Sequence, residues 1–81
     1  MSKKRIRKNI SGRRIAEARG ISNPPLTQDD LSGKLAKFDV QLDRAAVAKI
    51  ENDLRGVSDY ELKAFAKALA VRVDWLLGGE E

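Results

Sequence analysis

The chain contains no cysteine and no histidine. Without cysteine it has no disulfide framework and no thiolate metal site. Without histidine it lacks the commonest general base, the commonest metal ligand and the side chain that titrates nearest neutral pH. Acid–base chemistry would then depend on Asp, Glu, Lys or Tyr alone. We therefore expect no enzymatic activity, and the sequence predicts no metal, no cofactor and no small-molecule ligand.

Long apolar runs are missing as well. No stretch approaches the roughly 20 apolar residues that span a bilayer, and the basic start of the chain has no apolar segment of a secretory signal behind it. The 81 residues predict one small domain, which we expect to be cytoplasmic. Aromatic residues make up only 5% of the chain, which argues against a large exposed anchor patch for a protein partner.

The net charge of +4 is unevenly distributed. Residues 1–14 hold seven basic residues and no acidic one, whereas the remainder holds nine basic and twelve acidic residues. Basic arms of this kind bind polyanions, either nucleic acid or an anionic membrane, or they are solvated tails that aid solubility. Membrane attachment is the weakest of these interpretations, because residues 1–8 offer only Ile6 as an apolar anchor.

A repeated pattern marks the starts of helices. A capping side chain follows an apolar residue at Thr27, Asp43 and Ser58, with a further apolar residue one turn later, and Asp74 begins a shorter version. With helical periodicity this predicts helices over about residues 11–19 (ended by Gly20), 27–37, 43–54, 58–70 and 74–77. Residues 38–42 could run extended between the second and third helices. The predicted fold class is all-α, a compact bundle of five short helices.

The third predicted helix carries a cationic face. At about 100° per residue, an arc of roughly 60° collects the side chains that should face the core, Val47, Ile50 and Leu54. An opposite arc of roughly 140° contains no acidic residue; it comprises Arg44, Ala45, Ala48, Lys49, Asn52 and Arg55. A helix surface that is cationic, carries an amide and has low relief suits the major groove of DNA.

Four segments in this order resemble the phage-repressor and Cro-like helix-turn-helix proteins, also called Xre-type. They are GRRI at 12–15, LTQDDL at 26–31, VAKIEN at 47–52, and LKAFAKALAV at 62–71 followed by VDWLL at 73–77. The resemblance covers about residues 10–78. It implies a lambda-repressor-like domain in which the second and third helices form the helix-turn-helix and the third lies in the major groove.

The resemblance also implies roles for single residues. Arg44, Ala45 and Lys49 match base-contacting positions, where Arg and Lys suit guanine and a methyl group suits thymine. Glu51 matches a carboxylate that pairs with an arginine of the first helix, here Arg19, in a structural rather than a DNA-reading role.

Contacts to the DNA backbone are implied for a second group of residues. Gln28, at the start of the second helix, matches a position that holds a phosphate and buttresses the recognition helix. Asn52 and Arg55 match positions at the far end of the third helix and in the next loop that contact the backbone. The arm would add charge through Lys3, Lys4 and Arg5.

Two departures from the family pattern stand out. Seven residues, 36–42, separate Leu35 from Asp43, where the family has about two, so the turn is lengthened. This turn could pack locally, with Phe38, Val40 and Leu42 sealing one edge, or present a dimer or partner surface. Asp53 replaces a common glycine, and because Asp tolerates the left-handed conformation less well, we expect the third helix to continue towards Leu54.

The sequence therefore predicts a sequence-specific regulator that binds double-stranded DNA, acting as a repressor by occupying its operator. Few base contacts are available per domain, so we expect a homodimer, weak or assisted by DNA. Residues 1–9 are predicted as a flexible basic arm, 10–78 as the helix-turn-helix domain and 79–81 as a tail. The alternative is a protein-interaction module of the antitoxin or antirepressor type that sequesters a protein partner.

Overall fold

A computed structural model describes residues 10–79, and all regular structure within this range is helical. The helices are α1 (Gly12–Ile21), α2 (Gln28–Ala36), α3 (Arg44–Glu51), α4 (Asp59–Leu69) and α5 (Val73–Leu76). The predicted all-α bundle of five short helices is confirmed. The predicted arm, residues 1–9, and the tail residues 80 and 81 lie outside the described residues.

One core holds the helices together. α2 packs against both α3 and α4, and α1 closes the bundle against α3, α4 and α5. The largest fully buried side chains are Phe65, Ile15, Leu31, Leu35, Ile50, Leu76 and Val47. Each such side chain stabilises the fold by about 1.5–3 kcal/mol through burial. Within residues 10–79 every helix is too short or too polar to cross a membrane.

The starts of α2, α3 and α4 follow the predicted capping pattern. Thr27 Oγ1 accepts from the backbone N–H of Asp30 at 3.0 Å, and the Asp30 carboxylate accepts from the N–H of Thr27 at 2.9 Å. Ser58 and Glu61 form the same reciprocal box at α4. Asp43 accepts from the N–H of Ala46 at the start of α3. These bonds satisfy N–H groups that a helix leaves unpaired at its first turn.

Two predicted helix boundaries at the ends of the bundle are wrong. Gly20 lies inside α1, which ends at Ile21, because a single glycine costs a helix only about 1 kcal/mol and need not stop it. The Ser22 hydroxyl donates to the Ala18 carbonyl at 3.0 Å and so satisfies the last turn. At α5, Asp74 lies within the first turn, and Arg72 occupies the N-cap without a side-chain cap.

The predicted extension of α3 to Leu54 is also wrong. α3 ends at Glu51, and Asp53 takes a left-handed φ of 64°. The N–H of Asp53 donates to Ile50 O and that of Leu54 to Lys49 O, which is a Schellman motif. The chain therefore reverses before Leu54, whose side chain is 62% exposed instead of facing the core. Asp53 thus adopts the conformation for which glycine is usually chosen.

Part of the lengthened turn between α2 and α3 packs into the core. α2 ends in a similar way at Asp39, with φ 65° and a bond from the N–H of Val40 to Leu35 O. Val40 and Leu42 are buried and close one edge of the core, as the first of the two alternatives has it, and the Ser32 hydroxyl donates to Leu42 O at 2.6 Å. Phe38 does not join them and remains 38% exposed. Residues 38–42 form no strand.

Candidate nucleic-acid interface

The outward face of α3 is built by a helix whose opposite side is locked in the core. Val47 and Ile50 are fully buried, whereas Arg44, Ala45 and Lys49 are exposed. The exposed side presents two cations with small side chains between them. No acidic residue of α3 lies in its first turn, and Asp43 is engaged in capping the helix.

Among residues 10–79, Arg44 makes only a weak ion pair. Its Nη1 lies 3.8 Å from Asp29 Oδ2, and the two side chains are 68% and 71% exposed. Ion pairs this exposed contribute between about 0 and 1 kcal/mol. The guanidinium can therefore leave Asp29 for a ligand at little cost. Lys49 forms no ion pair with any residue in the range 10–79.

Glu51, the last residue of α3, ties this helix to α1. Arg19 Nε and Nη2 donate to the two carboxylate oxygens at 2.8 and 2.9 Å, a bidentate geometry that is both strong and directional. Arg19 Nη1 also donates to the carbonyl of Leu26. The Glu51 side chain is only 6% exposed, and its hydrogen bond raises the pKa of Arg19 above the ordinary value. The predicted Arg19–Glu51 pair is therefore present.

Gln28 joins the same cluster from α2. Its Nε2 donates to Glu51 Oε1 at 2.9 Å, so the carboxylate receives donors from both preceding helices. The buttressing part of the prediction for Gln28 is thus seen in the geometry. An amide nitrogen has two N–H donors, which leaves capacity for the phosphate contact that stays a prediction. We name the set Arg19, Gln28 and Glu51 the orienting cluster.

Asn52 lies at the end of the α3 face and is bonded to its own helix. Its Nδ2 donates to Ala48 O at 2.9 Å, the same carbonyl that accepts from the backbone N–H of Asn52 at 3.0 Å. The side chain is exposed, and a backbone contact to DNA stays a prediction.

Arg55 has a partner that the sequence reasoning missed. Its Nη1 and Nη2 each lie 3.1 Å from an oxygen of Glu61, and Nη1 also donates to Gly56 O. Glu61 is the same residue that caps α4, so the pair connects the loop after α3 to the next helix. The sequence signal was present in the capping box, but that motif specifies only the backbone partner of Glu61. Arg55 could reach a phosphate only while sharing its charge with this carboxylate.

Acid titration will test the Arg55–Glu61 pair. The hydrogen bond from Arg55 lowers the pKa of Glu61, and the N–H of Ser58 adds to this against the opposing effect of burial. A carboxylate with a lowered pKa stabilises the fold fully above its unfolded pKa, near 4.5, and loses that contribution as pH falls through the folded value. We expect the free energy of unfolding of Glu61→Gln to lie below wild type at neutral pH.

The difference between these two proteins should then shrink as the pH falls below about 4.5. Urea denaturation at a series of pH values measures it. A difference that stays constant down to strongly acidic pH would show that Glu61 is not stabilised as an anion.

Arg14, which belongs to the basic segment of residues 1–14, packs against α5. Arg14 lies 4.5 Å from the centre of the Trp75 ring and donates to Trp75 O at 3.0 Å. This cation–π contact fixes α5 against α1. Arg14 therefore holds the C-terminal helix and does not extend the arm. The predicted DNA-contacting residues of the arm, Lys3, Lys4 and Arg5, lie outside the described residues.

Six of the predicted site residues fall into two groups, and Asn52 and Arg55 belong to neither. The orienting cluster is one connected network, whereas Arg44, Ala45 and Lys49 stand exposed on the solvent side of α3. Comparison with family models, curated proteins and solved structures found no match. An oriented helix with an uncovered cationic face can donate several N–H groups to the acceptors of a polyanion.

Proposed function

We propose that this protein is a sequence-specific regulator that binds double-stranded DNA through α3. The observation that carries the proposal is the contrast between the two sides of that helix. Its inner side is fixed by core packing and by the orienting cluster, and its outer side presents Arg44, Ala45 and Lys49 to solvent. A rigidly held helix with a low cationic surface is what major-groove readout requires.

The remaining parts have supporting roles in this proposal. Gln28 and Asn52 contact phosphates at either end of the face, and the arm adds charge through residues outside the described range. Regulation occurs by occupancy, as in the Xre-type proteins that the sequence resembles, so the protein acts as a repressor when its site overlaps a promoter. One domain reads too few bases to specify a genomic site, so two copies bind a two-fold symmetric operator.

Selection of bound sequences from random duplex DNA tests this function. We expect an enriched motif with two-fold symmetry and half-sites about 10 base pairs apart. Binding of the selected duplex should weaken steeply as salt is raised, because phosphate contacts release counterions. If no sequence is enriched and no duplex binds at low salt, the proposal is wrong and a protein-interaction module becomes the better explanation.

A further inference from the structure

A groove between the α2–α3 turn and α4 has no part in the function proposed above. It is lined by Lys37, Phe38, Asp39, Tyr60, Lys63, Ala64 and Lys67 and has a volume of about 320 Å³. Ala64 is buried and forms its floor. The lengthened turn supplies one wall, through Lys37, Phe38 and Asp39. We call this site the lysine groove.

The positive charge of the lysine groove is not neutralised within the described chain. Four arginines follow residue 14, and all lie within 4 Å of a carboxylate: Arg19, Arg44, Arg55 and Arg72. Five lysines follow the same residue and form no ion pair with another residue of the range 10–79: Lys34, Lys37, Lys49, Lys63 and Lys67. Three of these five line the groove. The lining of the groove contains one carboxylate, that of Asp39.

Two aromatic side chains accompany these charges. Phe38 and Tyr60 are 38% and 62% exposed, and phenylalanine is among the residues most often buried. Lys67 Nζ lies 6.0 Å from the centre of the Phe38 ring, a distance at the limit of a cation–π contact. Lys67 therefore stands at one face of the Phe38 ring, while Phe38 and Tyr60 keep exposed apolar surface in the groove.

The lysine groove is separate from the DNA-binding face proposed for α3. No residue of α3 lines it, and α2 packs against α3 as well as against α4. The two surfaces share no side chain, so a ligand in the groove does not compete with bases for Arg44 or Lys49.

We propose that the lysine groove binds an acidic peptide segment of a partner protein, one that carries an apolar side chain between its carboxylates. The three lysines, Lys37, Lys63 and Lys67, pair with the carboxylates. The apolar side chain of the peptide, which needs no open ring face, packs against Tyr60 and the exposed part of Phe38 over Ala64. Recognition of acidic motifs by clustered cations is a recurrent mode of peptide binding.

The lining favours a peptide over other anions. A nucleic acid strand stacks its bases on open ring faces, but Lys67 lies over the Phe38 ring. The Asp39 carboxylate can accept a hydrogen bond from a peptide N–H, a donor that the sugar–phosphate backbone of a nucleic acid lacks. A small molecule needs a site that encloses most of its surface and is mainly apolar, and this groove is open and mainly charged.

Fluorescence anisotropy with a synthetic probe tests the proposal. The probe is a short labelled oligo-glutamate peptide with a central leucine, and the matched peptide has glutamine in place of every glutamate. We expect wild type to bind the acidic probe and to bind the glutamine peptide at least about tenfold more weakly. The double variant Lys63→Glu/Lys67→Glu should lose about tenfold or more in affinity for the acidic probe.

Lys34→Glu is the control, because Lys34 is an exposed, unpaired lysine of α2 that does not line the groove. It should change affinity by less than about twofold. Equal losses in Lys34→Glu and in Lys63→Glu/Lys67→Glu, or no binding of the acidic probe by wild type, would overturn the proposal. Preferential binding of labelled oligo-dT, sensitive to the groove variant, would assign the groove to nucleic acid instead. Arg44→Ala/Lys49→Ala should bind the peptide as wild type does, so the two proposals can fail separately.

Discussion

Arg44→Ala/Lys49→Ala is expected to bind the selected duplex roughly 30-fold to 10⁴-fold more weakly than wild type. Each lost bidentate or charged base contact costs about 1–3 kcal/mol of discrimination, and 1.4 kcal/mol corresponds to about tenfold in affinity. Both side chains are exposed and make no contact with the core, so the urea midpoint should remain that of wild type. Electrophoretic mobility shift at fixed salt measures the affinity.

A charge-matched variant separates base reading from general attraction. Lys34→Ala/Arg72→Ala removes the same two charges from exposed positions outside α3. It should lose only the small part of the affinity that comes from the overall field of the protein. Equal losses in both double variants would mean that α3 contributes charge without reading sequence. Unchanged affinity in Arg44→Ala/Lys49→Ala would exclude α3 as the recognition helix.

Arg19→Met should cost about 3–5 kcal/mol in the free energy of unfolding. The substitution leaves the Glu51 carboxylate buried without its bidentate partner, which is the most damaging way to break a buried ion pair. It also removes the donor to Leu26 O. Domains of this size have roughly 5–15 kcal/mol of stability in total, so the variant should be only marginally folded at room temperature. Urea denaturation followed by circular dichroism gives the value.

Arg72→Met is the matched control for this variant. Arg72 also forms a bidentate pair, with Asp74, but the two side chains are 77% and 56% exposed. Its loss should cost less than about 1 kcal/mol. The double variant Arg19→Met/Glu51→Leu should recover much of the stability lost in Arg19→Met, because it removes the orphaned charge. If Arg19→Met is no more destabilising than Arg72→Met, the orienting cluster does not hold α3.

Helix starts were predictable because the information is local. Thr27, Asp43 and Ser58 each accept from an N–H three residues ahead, and that spacing is visible in the sequence. Helix ends were not predictable in the same way. α2, α3 and α4 end through left-handed residues, and these are Asp39, Asp53 and Ala70. Because none is glycine, the usual signal is missing, and the surrounding packing imposes a conformation that the residue itself disfavours.

The candidate DNA-binding site also combines features that one helix determines with features that depend on how the chain folds back. The cationic face of α3 follows from periodicity within one helix, so Arg44, Ala45 and Lys49 were placed on the solvent side correctly. The Arg55–Glu61 pair and the exposure of Leu54 depend on the chain reversal at Asp53. Helical periodicity predicts the position of a side chain only within one helix, so it predicts nothing beyond that reversal. The lysine groove could not be predicted from the sequence for a different reason. It brings Lys37 together with Lys63 and Lys67, and only the packing of α2 on α4 makes these residues neighbours.

Glu51 orients the solvent-facing side of α3 but is not part of it. This separation determines which residues can change during evolution. The bonds that set the direction of α3 run inward from its last residue to Arg19 and Gln28. The solvent-facing side chains of Arg44, Ala45 and Lys49 contribute little to the stability of the fold. Mutations at positions 44, 45 and 49 can therefore accumulate without selection against misfolding. One scaffold could diverge into paralogues with different binding preferences, while the network beneath the helix stays the same.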